Sequence, residues 1–345
     1  MSESRIVFPA GHWQEASPES QGLDARRLQD AMGRVAAIAS DQGNRQSLVV
    51  RNGYLVWRGP DIDCKHTVWS CTKSFMSITL GLLVDDGKCR LDDPAADYLP
   101  CLKEHYPTVT LRQFAAFTSG YAGRAEEPTE ALAHLVFEPA PPLYAPGAFF
   151  HYSQSSDQFA RVLTRIAGEP LRDLFRRRIA DPVGLDPDGW SWGDWGDIDG
   201  IPVCGGSGSY EKGIAITARQ IARLGWLIAN DGAWNGRQLL SRQYVREMTS
   251  PQVAAAVPPW DPKAWYVRLP GSYGLNTWIN GVTPSGRRMW PDAPDDTSAI
   301  QGNMNNFCFA VPSWRLVLVR MGTDGRINND RYTEVFALLR SALKD

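Results

Sequence analysis

The stretch Trp69-Ser70-Cys71-Thr72-Lys73-Ser74-Phe75 opens a predicted helix that continues through a series of apolar residues to Leu83. On a helix, Ser70 and Lys73 lie on one face because they are three residues apart. A serine hydroxyl becomes a nucleophile when a base takes its proton, and a lysine can serve if its surroundings lower its pKa. The helix N-terminus adds unpaired N–H groups that suit an oxyanion. The alternative is a capped amphipathic helix with a surface lysine.

The sequence on both sides of this helix predicts strands. Upstream, Leu48–Arg51 and Tyr54–Trp57 flank Asn52-Gly53, which is the strongest short signal for a β-hairpin. Asp24 caps a predicted helix before them. Downstream, strands are predicted at 273–279, 306–311 and 314–321, ahead of a closing helix at 330–343.

Between these two groups of strands the periodicity is mostly helical. Helices are predicted at 70–86, 110–117, 156–168, 170–180, 217–230 and 241–248. The expected fold class is therefore α+β, with an antiparallel sheet flanked by the N- and C-terminal helices and a large helical insertion. We expect residues 1–65 and 250–345 to form the sheet domain and residues 66–249 the mainly helical one. A site is expected at the seam between them, near Ser70.

Composition excludes several classes of function. The 345 residues carry a formal net charge of -2, and no basic cluster extends beyond Arg176–Arg178, so nucleic-acid binding is not expected. Met1–Arg5 is polar, and no apolar run approaches the roughly twenty residues that span a bilayer. We therefore expect a soluble, cytoplasmic protein with no membrane partner. The oligomeric state stays open.

Neither the cysteines nor the acidic loop indicates a metal. The six cysteines lack the paired spacing of metal or redox motifs, so free, buried thiols are expected. Cys71, beside Ser70, would make an enzyme of this kind sensitive to thiol reagents. Asp194, Asp197 and Asp199 lack the ligand spacing of a calcium-binding EF-hand loop. No metal and no organic cofactor is expected.

Two further segments supply candidate site residues. In Phe150–Gln154, a tyrosine near an ammonium ion would have a lowered pKa and could relay a proton, and Gln154 could bind an acyl carbonyl or Lys73. The alternative for Tyr152 is a packing role. In Gly302–Asn306, small and polar residues at the start of a strand could present backbone N–H groups to a substrate. The alternative there is an ordinary turn.

Taken together, these motifs resemble the serine β-lactamase and penicillin-binding protein superfamily, in particular the class C β-lactamase-like branch with its esterases, amidases and D-amino-acid peptidases. Ser70–Lys73 is similar to the Ser-x-x-Lys box. Tyr152-Ser153-Gln154 is similar to the Tyr-x-Asn box, and Gly302–Asn305 stands where the Lys or His-x-Gly box lies. Supporting stretches extend the resemblance from about Trp13 to Leu339, among them Leu91–Pro94, Thr118–Gly120, Gly205–Gly208 and Trp234–Gly236.

The resemblance implies a β-lactamase/transpeptidase-like fold and a two-step acyl transfer. Lys73 acts as base with Tyr152 relaying, Ser70 attacks the carbonyl, and the amides of Ser70 and Asn306 form the oxyanion hole. Gln154 and Asn303 are the implied substrate-binding residues. Asn303 stands where the family has a cation, which weakens recognition of a substrate carboxylate. Poor β-lactamase activity is therefore expected.

Other residues leave alternatives open. Trp192, with Trp190 and Trp195, lies in one long loop and Trp260, Trp265 and Tyr266 lie in another; these aromatics either line an apolar acyl pocket or cover the helical core. His66 and His151 are interpreted as structural, since no Gly-x-Ser-x-Gly elbow supports a Ser-His-Asp triad.

The sequence thus predicts a serine hydrolase that forms an acyl-enzyme with a small ester, an amide or a short peptide. One alternative is a catalytically silent relative that binds a ligand or serves as a scaffold. Another is a true β-lactamase or D,D-peptidase.

Overall fold

The computed structural model describes residues 6–38, 41–124, 130–325 and 329–344, so the polar stretch Met1–Arg5 lies outside it. The α-helices of the described residues are α1 (Ala25–Ile38), α2 (Thr72–Asp85), α3 (Leu111–Ala115), α4 (Ser155–Ala167), α5 (Leu171–Phe175), α6 (Asp181–Val183), α7 (Ala218–Ala229), α8 (Arg242–Met248) and α9 (Asn329–Ala342). The strands of the same residues are β1 (Gln46–Arg51), β2 (Tyr54–Arg58), β3 (His66–Thr67), β4 (Ala122–Gly123), β5 (Pro139–Ala140), β6 (Trp190–Trp192), β7 (Asp194–Ile198), β8 (Ile201–Cys204), β9 (Ile214–Ile216), β10 (Ala233–Trp234), β11 (Arg237–Gln238), β12 (Trp278–Ile279), β13 (Ser298–Gly302), β14 (Asn306–Val311) and β15 (Leu316–Met321).

The main sheet joins the two ends of the chain. It has six antiparallel strands in the order β12-β13-β14-β15-β1-β2. The predicted hairpin between β1 and β2 turns at Asn52 (φ 53°) and Gly53 (φ 87°), and a tight two-residue turn needs this left-handed backbone at both positions. The sheet is thus assembled from segments that the helical stretch separates in sequence. The expected α+β fold class is confirmed, whereas the division into two domains stays a prediction.

Strand residues alternate between the two faces of the sheet, and both faces are buried against helices. Val49 and Leu318 pack on one face in a cluster with the side chains of α1 and α9. Val50 and Val319 point to the opposite face, into a second cluster that includes α7 and α2. Sheet and helices therefore form three layers, with helices on both sides of the sheet.

One predicted strand is mostly a loop. Only Trp278–Ile279 of the expected stretch 273–279 pairs as a strand, with β13. The preceding residues turn instead: Asn276 has a left-handed φ of 47°, and its amide donates to the carbonyl of Ala115. The apolar residues of this stretch pack inward from a curled loop. A packed loop and a strand can show the same apolar alternation, so periodicity alone does not distinguish them.

Helix α2 lies at the centre of the helical region. Every residue from Thr72 to Leu83 is buried, and the helix contacts α4, α5 and α8. A helix buried all round needs partners on every side, unlike an amphipathic surface helix. Lys73, only 3% exposed, is therefore an interior lysine, and the alternative of a surface lysine is wrong. Among the described helices, none combines the length and the apolar character that a membrane crossing requires.

Candidate active site

Ser70 lies in a 3₁₀ turn, Trp69–Cys71, that leads directly into α2. The backbone of Trp69 is left-handed (φ 46°), a costly conformation for a bulky residue that its surroundings must impose. Two hydrogen bonds hold the turn: the Cys71 amide donates to the Val68 carbonyl at 3.1 Å, and the Thr72 hydroxyl donates to the Trp69 carbonyl at 2.7 Å. The half-buried Ser70 side chain is thereby fixed at the start of a rigid helix.

Lys73 contacts the Ser70 hydroxyl as the three-residue spacing predicts. Its Nζ lies 3.2 Å from Ser70 Oγ and donates to the backbone carbonyl of Ser207 at 3.0 Å. Burial lowers the pKa of Lys73 to about 8, while the negative charge of Asp157 opposes this shift. A lysine with a pKa close to neutral pH spends part of its time as the free amine, which can accept a proton from the serine.

Tyr152 meets the same two side chains. Its phenol interacts with the Ser70 side chain, and the Lys73 ammonium lies over the face of its ring, 4.9 Å from the centroid. Phe117 and Trp278 hold the ring, with centroids 4.7 and 5.7 Å away. Burial raises the pKa of Tyr152, so the expectation of a lowered pKa is wrong. The phenol therefore stays protonated at neutral pH.

Two residues that orient Lys73 were missed by the sequence analysis. The carbonyl of Ser207 accepts from the lysine, and Asp157 Oδ1 holds this loop by accepting from the amides of Gly206 at 2.7 Å and Ser207 at 3.0 Å. The Asp157 side chain is 1% exposed, and its Oδ1 also accepts from the indole of Trp195. A backbone carbonyl has no sequence signature. An acidic residue in the first turn of α4 is usually interpreted as favourable to the helix dipole.

The segment from Gly302 to Asn306, which begins where the family has its Lys or His-x-Gly box, lies against the turn that carries Ser70. The close approach is made by Gly302 and not by Asn306, the residue predicted for the oxyanion hole. Gly302 ends β13 so close to the turn that an added Cβ would lie 2.1 Å from the carbonyl oxygen of Val68. Asn306, the expected oxyanion residue, is fully buried and its amide donates to the Asn303 carbonyl at 3.3 Å. Its side chain bonds to backbone groups of Asn303 and Gly322. Asn306 therefore closes the turn from β13 to β14, and its assignment to the oxyanion hole is corrected.

Two other amides are available near the serine. Among the hydrogen bonds of the described residues, none uses the backbone N–H of Ser70 or that of Asn303 as a donor. Asn303 directly follows Gly302, whose backbone touches the Ser70 turn. Its side chain is exposed and is not part of the cavity wall described below, which is not the position predicted for a substrate-binding side chain.

Ser70, Lys73 and Tyr152 open onto a cavity of about 850 Å³. Gln154 also lines it, as predicted for a substrate-binding residue, although Lys73 donates to Ser70 and Ser207 rather than to this amide. The second aromatic loop forms part of the wall. The remaining lining residues are His151, Ser153, Ser207, Ser209, Tyr210, Trp260, Asp261, Ala264, Trp265 and Tyr266.

The segment with Trp190, Trp192 and Trp195 was predicted as a loop, but it forms strands β6 and β7 and does not line this cavity. Trp192 is 4% exposed, packs edge-on against Phe75 and Phe175, and donates from its indole to the carbonyl of Gly205 at 2.8 Å. Its interpretation as a substrate-binding residue is therefore corrected: it belongs to the helical core. A tryptophan in a segment that the sequence predicts as a loop can cover a core as well as line a pocket.

Of the two histidines singled out from the sequence, His151 lines the cavity and His66 does not. His66 hydrogen-bonds through its two ring nitrogens to Thr67 O and Gln46 Oε1, which agrees with a structural role. All six cysteines are free, and Cys64 and Cys101 are exposed. Burial raises the pKa of the Cys71 thiol, so sensitivity to thiol reagents through this residue is not expected. Among the described residues, no group of three or more potential ligands could hold a metal ion.

Comparison with known proteins identifies the family. The family model described as Beta-lactamase matches residues 44–333. Over 125 residues the chain is 24% identical to a β-lactamase of Pseudomonas fluorescens, covering 34% of each protein. Over 143 residues it is 25% identical to the esterase/β-lactamase LipL of Mycobacterium tuberculosis, covering 39% of this chain and 33% of LipL. The chain thus spans about a third of the length of these relatives.

The fold is shared more completely than the sequence. A penicillin-binding protein homologue from Caulobacter crescentus superimposes with a TM-score of 0.70 at 17% identity, over 93% of this chain and 99% of that one. The match of the family model covers most of the chain, including the serine, lysine and tyrosine that meet in the cavity. The chain therefore belongs to the β-lactamase family.

Proposed function

We propose that this chain is a serine hydrolase of esterase or amidase type that forms an acyl-enzyme on Ser70. The observation that carries the proposal is the convergence of three groups at one cavity: Lys73 Nζ lies 3.2 Å from Ser70 Oγ, and the Tyr152 phenol interacts with the Ser70 side chain in the same cavity. Nucleophile and base within hydrogen-bond reach are the geometric requirement of nucleophilic catalysis. The proposed substrates are small esters, amides or short peptides, and a cytoplasmic location remains part of the same proposal.

In the first step Lys73, as the free amine, takes the proton of Ser70 while Oγ forms a bond to the acyl carbon. The bond to the leaving group then breaks, and Tyr152 donates its proton to the leaving oxygen or nitrogen while the Lys73 ammonium returns a proton to the phenol oxygen. Water releases the acyl group by the reverse transfers. The raised pKa of Tyr152 suits this role, because the residue relays a proton as a phenol and is not a standing phenolate base.

The oxyanion would be bound by the amides of Ser70 and Asn303. Both N–H groups lack an acceptor among the described residues, and Gly302 brings the end of β13 against the serine turn. Two preorganised donors at the site of developing charge are a large source of rate enhancement in acyl transfer. The backbone amide and the side-chain amide of Asn306 both donate to the carbonyl of Asn303, so Asn306 holds Asn303 in position.

The site favours an esterase or amidase over a β-lactamase or a D,D-peptidase. Of the lining residues in the described part of the chain, Lys73 is the only lysine or arginine, and its acceptors are Ser70 and Ser207. A substrate carboxylate would therefore find no second cation. The names of the two sequence relatives, a β-lactamase and an esterase/β-lactamase, leave both chemistries within reach of the family. Nitrocefin turnover at a rate comparable to that of simple esters would contradict this preference.

Labelling with a fluorophosphonate, read by intact mass, tests the proposal against a silent binding protein. We expect one adduct on the wild type and none on Ser70→Ala, together with loss of p-nitrophenyl acetate hydrolysis in that variant. Ser191→Ala, which changes an exposed serine of β6, is the matched control and should label like the wild type. Unchanged labelling or turnover in Ser70→Ala would remove Ser70 from the mechanism.

A further inference from the structure

The mouth of the cavity combines one carboxylate with aromatic side chains. Asp261 and the rings of Trp260, Trp265 and Tyr266 line the same wall. Trp265 is 55% exposed, an unusual position for a large apolar side chain, and its ring packs edge-on against Tyr152 with centroids 5.3 Å apart. The aromatic wall therefore adjoins the proposed catalytic tyrosine directly.

Backbone hydrogen bonds hold this wall in place. The amide of Phe150 donates to the carbonyl of Pro258, and the amide of Trp260 donates to the carbonyl of Phe150, each at 2.9 Å. The segment that carries Asp261 is thereby attached to the segment that carries Tyr152. Sites whose parts are fixed relative to the chemistry bind with a smaller loss of conformational freedom.

The Asp261 carboxylate is available to a ligand. Within the described part of the chain no lysine or arginine side chain forms an ion pair with it. Its Oδ1 accepts a hydrogen bond from the backbone amide of Lys263 at 2.8 Å. The Lys263 side chain does not line the cavity, whereas His151 lies near enough for the negative charge of Asp261 to raise its pKa against the effect of burial. The carboxylate thus projects its charge into the cavity.

From this arrangement we infer that the cavity selects substrates carrying an ammonium group, bound by the Asp261 carboxylate and the faces of Trp260 and Trp265. Aromatic faces and a carboxylate both attract a cation, and neither attracts an anion. The inference rests on the proposed hydrolase function and adds its substrate class: esters or amides with a protonated or quaternary amine. Lys73, whose ammonium lies over the face of the Tyr152 ring, donates to Ser70 and Ser207, so it is used by the chemistry and does not pair with Asp261.

The test compares two esters of the same shape. Acetylcholine carries a trimethylammonium group, and 3,3-dimethylbutyl acetate replaces it with a neutral tert-butyl group. Proton release is followed in a pH-stat, which avoids thiol reagents. We expect kcat/KM of the wild type to favour the cation by about tenfold, because exposed ion pairs and cation–π contacts are each of modest strength. Asp261→Asn should reduce this ratio to the part that the aromatic rings contribute, whereas Asp30→Asn, which changes an exposed carboxylate on α1, should leave it unchanged. An equal ratio in wild type and Asp261→Asn would overturn the inference.

A binding measurement separates this inference from the proposed hydrolase function. Acetylcholine is titrated into Ser70→Ala, which is not expected to turn over, and tryptophan fluorescence is recorded. Saturable quenching that is lost in Ser70→Ala/Asp261→Asn supports the ammonium site even if turnover is never seen. If the wild type hydrolyses neutral esters but Ser70→Ala shows no saturable quenching, the hydrolase proposal stands and the ammonium site is wrong.

Discussion

Asp157→Asn is the sharpest test of how the site sets the basicity of Lys73. The substitution removes a buried negative charge and keeps a side-chain oxygen that can accept from the amides of Gly206 and Ser207. Because that charge raises the pKa of Lys73, its removal should lower the pKa below about 8. Lys73 would then be the free amine over a wider pH range, and the ascending limb of the pH profile should move to lower pH.

The structure bounds the size of the shift. Asp157 Oδ1 contacts the amide of Ser207 at 3.0 Å, and the carbonyl of the same residue contacts Lys73 Nζ at 3.0 Å. Two hydrogen bonds and one residue between them place the two charges within about 10 Å. At an effective dielectric near 20, a unit charge at that distance contributes roughly 1.7 kcal/mol, or a little more than one pKa unit. We therefore expect a shift of about one unit or more.

The assay is kcat/KM for p-nitrophenyl acetate from about pH 6 to about pH 10, which reports the pKa of the free enzyme. The wild type should rise through a midpoint near pH 8. The height of the curve should also fall in Asp157→Asn, since an amide NH₂ would occupy the place of Oδ2, which has no partner among the described residues. Only the midpoint decides. A midpoint within 0.3 units of the wild type (a threshold set at roughly a quarter of the expected shift), or a shift to higher pH, would refute the electrostatic coupling, and Asp30→Asn supplies the control.

Two further substitutions test the interior lysine and the close approach of β13. The pKa of Lys73 is about 8 in the folded chain and 10.5 for a free side chain, so the unfolded chain binds the proton more readily. The resulting loss of folding free energy is about 3 kcal/mol at most. It is complete below pH 8 and disappears as the pH rises to 10.5. Lys73→Met should therefore raise the free energy of unfolding at pH 7 by about 1–3 kcal/mol in urea denaturation, while abolishing turnover; a less stable variant would contradict this. Gly302→Ala would place a Cβ 2.1 Å from Val68 O, so we expect a loss of about 2 kcal/mol or more and a lower kcat, whereas Gly33→Ala, with open space around it on α1, should be neutral or slightly stabilising. Wild-type thermal stability and kcat in Gly302→Ala would refute the packing of β13 on the serine turn.

Local signals in the sequence determined much of the fold. Asn52-Gly53 fixed the first hairpin because few other residues accept left-handed backbone at both positions, and strand β14 was predicted at its observed bounds, Asn306–Val311. The spacing of Ser70 and Lys73 brought their side chains together as soon as a helix formed there. Family membership, likewise indicated by ordered motifs along the chain, is confirmed by a family model over residues 44–333.

Tertiary structure alone decided the rest, since groups far apart in sequence meet only when the layers pack. The Ser207 carbonyl and Asp157, which orient Lys73, act through backbone groups and burial, and neither leaves a pattern in the sequence. The exclusion of Asn306 from the oxyanion hole depends on a hydrogen bond within its own turn. Trp192 lies in the core because its ring packs against the rings of Phe75 and Phe175. Residue types and spacing therefore determined which chemistry is available. Burial and long-range contacts decided the pKa values of the site residues and which backbone groups contribute to the chemistry. The pKa values and backbone contacts depend on what surrounds a group in space rather than on its neighbours along the chain.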